Sequence, residues 1–164
     1  MTERWVLNAS PLIVLANTGY EMLLRQLADK VIVPRSVAVE IMAGPHNDRA
    51  RLQVASGNWP IVDSPHAPDE LLAWDLGSGE TAVISYAIAS PGWTAILDDG
   101  AARRCARTFS VPVKGTLGII LQAKRRGLIA SATTVLHSMR SQGFRLDDRL
   151  LVAALKELGE ENWS

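Results

Sequence analysis

Short runs of β-forming residues alternate with longer helical stretches along this chain, and that rhythm restricts its architecture more than any other feature. Arg4–Leu7 reads as a first strand. The helical pattern from Pro11 to Ala28 is broken near Asn17-Thr18-Gly19, where turn residues interrupt it. Val31–Val33 is a second strand, followed by a helix over Val37–Ala43 with Ser36 as its expected N-cap, and by a helix over Asp48–Ala55. Trp59–Val62 reads as a third strand, which Pro60 would confine to a sheet edge. Asp63–Asp69 is a loop and Glu70–Trp74 at most a short helix. Ser78 stands where an N-cap should precede a buried helix reaching Ile88. Trp93–Leu97 and Val111–Val113 are the fourth and fifth strands, with a helix over Ala101–Phe109 between them. Helices over Thr116–Arg126, Ala132–Gln142 and Asp148–Leu158 complete the pattern. Five strands separated by helices require crossover connections, and these bury a parallel sheet on both faces. The expectation is an α/β protein in which residues 1–164 form a single domain.

Composition narrows the function classes. With 48% apolar and 21% charged residues in 164, the chain can bury a core and is not expected to be disordered. Its single cysteine, Cys105, excludes a disulfide scaffold, argues against a structural zinc site and points to a reducing compartment. The apolar run Trp5-Val6-Leu7 is too brief for a signal peptide or a membrane span, so a soluble cytoplasmic protein is expected. The formal net charge is zero. Any attraction for nucleic acid must therefore come from a local basic patch or a metal ion.

In a doubly wound sheet the functional groove lies beyond the carboxyl ends of the strands, where strand order reverses. The chain places Asn8-Ala9-Ser10 after its first strand, Glu40 in the helix after its second, and Asp98-Asp99 after its fourth. Glu80 falls in the first turn of the preceding helix. Carboxylates that converge need a cation to neutralise them, and oxygen ligands without His or Cys suit Mg²⁺ or Mn²⁺. These residues outline a metal-dependent phosphoryl-transfer site. Each acid also has a plainer reading: Glu80 favours a helix N-terminus, Asp98-Asp99-Gly100 starts a helix, and Glu40 alone is a solvated helix residue. His46, His66 and His137 lack spaced ligand partners, and the tryptophans, Trp163 included, form no basic-aromatic pattern. Lys124-Arg125-Arg126 reads as a solvated helix end and Asp147-Asp148 as a cap outside the site.

The motifs Asn8-Ala9-Ser10-Pro11-Leu12-Ile13, Gly79-Glu80-Thr81-Ala82, Leu97-Asp98-Asp99-Gly100-Ala101-Ala102-Arg103 and Lys114-Gly115-Thr116-Leu117-Gly118, with the Glu40 helix, resemble in order and spacing those of PIN-domain proteins. The likeness covers roughly the first four-fifths of the chain. It is closest to a prokaryotic branch with a Gly-Thr-Leu-Gly segment, related to the VapC-like toxins of toxin–antitoxin modules. The resemblance implies a three-layer α/β/α sandwich and Mg²⁺- or Mn²⁺-dependent cleavage of single-stranded RNA. It also implies an antitoxin protein as partner and a homodimer. Glu40 matches the family's second acid, Glu80 the third and Asp99 the fourth, with Asp98 beside it; Ser10 and Thr116 match supporting hydroxyl residues. At the first acid the family has Asp and this chain has Asn8. An amide oxygen can bind a metal but brings no charge, so ion affinity is expected to fall. Arg103, Arg104 and Lys114 are placed to engage RNA phosphates. The first reading is thus a ribonuclease with activity weakened by Asn8. The competing one is a catalytically inactive RNA-binding or protein-interaction module on the same fold.

Overall fold

The structure, a computed structural model, describes residues 2–45 and 48–160; His46 and Trp163 lie outside the described residues. The strands are β1 (Arg4–Leu7), β2 (Lys30–Pro34), β3 (Ile61–Val62), β4 (Trp93–Ile96) and β5 (Val113–Lys114). The first helices are α1 (Ala9–Thr18), α2 (Met22–Leu27), α3 (Arg35–Met42), α4 (Arg49–Ala55) and α5 (Asp69–Leu72). They are followed by α6 (Ser78–Ala89), α7 (Gly100–Thr108), α8 (Thr116–Arg125), α9 (Ala132–Ser141) and α10 (Asp148–Glu157). All strand pairs are parallel, in the order β3-β2-β1-β4-β5. Pro60 does precede an edge strand: its carbonyl accepts the Val33 N–H, and β3 has no neighbour beyond it.

From β1 the chain steps outward through β2 to β3, then returns to build β4 and β5 on the other side of β1. The connecting helices cover both faces of the sheet. Helices α1 and α2 share one face with α8 and α9, while α6 lies against β1, β2 and β4 and α7 against β5. This is a three-layer α/β/α sandwich. Strand order reverses between β1 and β4. There the register pairs Leu7 with Ile96 and Ile96 with Lys114, so three strands end level and release Asn8, Leu97 and Gly115 at one edge.

The core explains why the central strands carry no alternation. Trp5, Val6 and Leu7 of β1 are wholly buried, as are Ala95 and Ile96 of β4, because helices cover both faces. Helix α6 buries Ala82, Val83, Ile84, Ser85 and Ala87, and packs across the sheet on nearly all sides. The break in the first helical pattern is real: Gly19, at φ +82°, closes α1 with N–H bonds to Ala16 and Leu15 carbonyls. Among the described residues no helix is long and apolar enough to cross a membrane.

Three local expectations need correction. Ser36 does not cap α3; β2 runs into the helix without a loop, so the cap position falls on Pro34. Ser78 is the first residue of α6 and Gly77 its cap. The fifth strand is Val113–Lys114 rather than Val111–Val113, since Ser110 at φ +58° turns the chain before pairing begins at Val113.

Candidate functional site

A cleft of about 950 Å³ opens at the level edge where β1, β4 and β5 end. Asn8 is its innermost polar residue. The Asn8 N–H bonds the Ile96 carbonyl at 3.1 Å, which ties the exit of β1 to β4. Asn8 also occupies the N-cap position of α1, where an amide oxygen ordinarily accepts a backbone N–H. Here it makes no such bond. Its Oδ1 is buried without a partner, and the residue is 7% exposed. A buried oxygen left unpaired costs on the order of 1–3 kcal/mol, and a donor or a cation that reached Asn8 Oδ1 would relieve that cost.

Helix α6 brings a second such oxygen. Glu80 lies in its first turn, and Glu80 Oε2 is buried with no hydrogen-bond donor. The close approach depends on Gly79. A Cβ there would lie 3.2 Å from Asn8 Oδ1, 3.3 Å from Val37 Cγ2 and 3.7 Å from Glu40 Oε2. The Asn8 and Glu40 oxygens thus flank one buried glycine, directly before Glu80. Burial raises the Glu80 carboxyl above its ordinary value, and the negative charges of Asp99 and then Glu40 push it the same way. The N-terminal helix dipole favours ionisation, but it does not outweigh those effects.

The neighbouring pair Asp98-Asp99 divides its work. Asp99 is exposed and caps α7, its Oδ2 accepting the Ala102 N–H at 3.0 Å. Asp98 turns the other way and is saturated. It accepts the Thr116 N–H at 2.7 Å, the Thr116 hydroxyl at 2.7 Å and the Ser10 hydroxyl at 3.4 Å. Arg103 joins this knot by donating to the Leu97 carbonyl at 3.0 Å. Burial lowers the Arg103 value, Arg107 adds to the effect and Asp98 opposes it. Gly115 leaves room for both: a Cβ there would meet Arg103 Nη1 at 2.6 Å and Asp98 Oδ1 at 3.1 Å.

The residues named from sequence therefore separate into two groups. Asn8, Glu80, Asp99 and Glu40 gather around oxygens that lack donors. Asp98, Ser10, Thr116 and Arg103 form a closed network that fixes the β4 and β5 exits. Arg104 is exposed on α7. Lys114 lines the cleft, and its ammonium donates to Gln122 Oε1 and sits 5.0 Å from the Trp5 ring centroid. Burial lowers its value, with Glu3 opposing and Arg126 assisting. Sequence reasoning missed Gly79 and Gly115 as spacers, although Gly77-Ser78-Gly79 carried the signal, since glycine inside a helix start is costly without a packing reason. It also placed Asp147 outside the site. Asp147 does cap α10, and it lines the cleft as well.

Among the described residues no three Asp, Glu, His or Cys side chains are arranged as a metal site by themselves. The donor set nevertheless fits a hard cation once the Asn8 amide is counted. Two buried oxygens without donors, Asn8 Oδ1 and Glu80 Oε2, lie beside Asp99 and Glu40, whose charges repel that of Glu80.

A parallel α/β/α sandwich with an acidic cleft at its switch point, flanked by arginines on α7, defines the class of protein. A family model described as a PIN domain matches residues 4–160, and the chain belongs to the PIN-domain family. The PIN domain is a nuclease fold whose members generally depend on a divalent metal. A search of curated proteins found no match to the chain.

Proposed function

We propose that this protein is a Mg²⁺- or Mn²⁺-dependent ribonuclease of PIN type that cleaves single-stranded RNA, with its hold on the ion weakened by Asn8. The observation that carries this reading is the pair of buried oxygens on Asn8 and Glu80 that have no donor, set beside Asp99 and Glu40. Asn8, Glu80 and Asp99 would hold the ion, and Glu40 would add charge from the rim. When bound, a divalent cation there lowers the pKa of a bound water and stabilises charge on a phosphate. The residues of the chain do the rest. Glu80 must be ionised to serve as a ligand, and a cation offsets the repulsion that now raises its value. Arg104, exposed on α7, and Arg103, at the cleft wall, orient the flanking phosphates. Asp98 keeps β5 and Thr116 in place so that the cleft retains its width.

The same reading includes a cytoplasmic toxin-like role in a toxin–antitoxin pair, with an antitoxin protein as partner and a homodimer as the working form. It extends to residues 1–164 as one domain. The resemblance to VapC-like toxins supports these points.

Calorimetric titration with Mn²⁺ tests the reading. The natural protein is expected to bind, Asn8→Asp to bind more tightly, and Asp99→Asn to lose binding and RNA cleavage together. If neither the natural protein nor Asn8→Asp binds Mn²⁺, the fold serves as a binding module and not as an enzyme.

A further inference from the structure

The cleft continues past the acids, and its far walls have a different chemistry. On α1 the residues facing it are Ser10, Ile13, Val14 and Asn17, the i, i+3, i+4, i+7 stripe of one helix face. Leu117, Gly118 and Leu121, at i, i+1 and i+4, line it from one face of α8. Segment 142–147, between α9 and α10, forms the third wall and brings Phe144 and Leu146, while Leu150 on α10 stands at the mouth, 63% exposed. The polar end is therefore made by the strand exits and the apolar end by two helix faces and a loop. From Ser10 to Asn17 the α1 wall spans about 10 Å at 1.5 Å per residue. That exceeds the rise of about 3.4 Å between stacked nucleotides of one strand.

We propose that this apolar slot is a nucleobase subsite. It takes one unstacked base of a single strand whose phosphate lies against Asn8, Glu80 and Asp99, with Phe144 as the stacking face. The inference rests on reading the acidic end as the phosphodiester site. A nucleotide matches the two ends of the cleft, its phosphate meeting the acids through the cation they would hold and its flat, weakly polar ring lying in the slot. The slot is continuous with the acids and Arg103, so a strand held there must pass its base along α1 and α8 or leave it in solvent. Gln142 at the rim supplies an amide able to donate to and accept from a base edge, and Arg145 supplies a guanidinium. A base that fits this slot selects where along a strand the phosphate is presented.

Fluorescence anisotropy tests the subsite without Mn²⁺-dependent cleavage, in buffer with Ca²⁺ in place of Mn²⁺ to offset the acids, using labelled uridine and adenosine RNA hexamers and an abasic hexamer of the same backbone. At least one base-bearing hexamer is expected to bind about tenfold more tightly than the abasic one. Phe144→Ala should remove that advantage and Leu150→Ala should reduce it about threefold, both leaving abasic binding unchanged. Leu150 is exposed, so its variant tests the slot even if Phe144→Ala disturbs the loop. Equal binding of base-bearing and abasic strands, no binding of either, or an advantage that survives both substitutions would overturn the proposal; the first outcome would leave the slot to an apolar peptide. Base-dependent binding in a protein that takes up no Mn²⁺ would keep the subsite and discard the nuclease. Mn²⁺-dependent cleavage with no base dependence would do the reverse.

Discussion

Glu80 and Glu160 each sit against the N-terminus of a helix, yet their surroundings drive them in opposite directions. At the start of α9, Glu160 accepts the Ala132 N–H at 2.9 Å, the Thr133 N–H at 2.9 Å and the Ser131 hydroxyl at 3.0 Å, with Lys124 Nζ 3.6 Å away. Burial by itself would raise its value, but the hydrogen bonds from Thr133, Ala132 and Ser131 outweigh burial and hold it at about 2. At the start of α6, Glu80 has an oxygen with no donor and two negative neighbours, and its value is raised. Proximity to a helix end does not decide which way a carboxyl shifts. The donors do. Asp98 and Asp99 repeat the contrast one residue apart, Asp98 with three donors and Asp99 with one bond on an exposed side chain.

The sharpest way to break this comparison is Asp98→Ala. It would leave the Thr116 N–H and hydroxyl buried without partners, and a loss of about 3 kcal/mol in urea unfolding is expected. If stability stays unchanged, Asp98 is not the structural member of its pair. Glu160→Gln comes next, at about 2 kcal/mol, because the neutral amide replaces charge-assisted bonds to the α9 terminus. The folded Glu160 value of about 2 lies below the unfolded value of about 4.3. Its contribution is therefore complete above the unfolded value and disappears as pH falls from about 4 toward 2. Natural protein and variant should converge in stability over that window, as measured by acid titration of the melting temperature.

Glu80→Gln should have the smallest effect and the opposite sign. Without added metal it removes repulsion from Asp99 and Glu40, so the melting temperature should rise by a few degrees. A raised folded value means that ionised Glu80 opposes folding. Its stabilising protonation is complete below the unfolded value and is lost as pH climbs through the folded one. The gain from Glu80→Gln should accordingly fade as pH falls through the raised folded value and be gone below about 4.3. With Mn²⁺ present the order should invert, the natural protein gaining stability that the variant lacks. A variant that is destabilised in metal-free buffer would place Glu80 with Glu160 among the structural caps.

Much of this was open to reading along the chain. The strand and helix alternation, the parallel sheet, the edge position imposed by Pro60 and the turn at Gly19 follow from local patterns, and all are present. Ser36 and Ser78 misled because cap propensity says which residue can cap, while the length of the connecting loop says which residue is in position to do so. The acids were visible as a set after the strands, but their division into saturated and donor-free members was not. Nor was the apolar half of the cleft, since Ile13, Leu121 and Phe144 look like ordinary core residues in a one-dimensional pattern.

The sequence by itself determined the layers of this protein and the edge at which its polar residues would meet, because helix and strand periodicity and chain reversal are governed by neighbouring residues. Tertiary structure alone decided which carboxylates are saturated with donors and which are left without them. The donors that saturate Asp98 come from Thr116, 18 residues away, and those that hold Glu160 come from Ala132 and Thr133, 28 and 27 residues away. Those pairings depend on how the layers stack. Whether a buried charge is satisfied is set by what lies within hydrogen-bond reach in space, and no local pattern contains that.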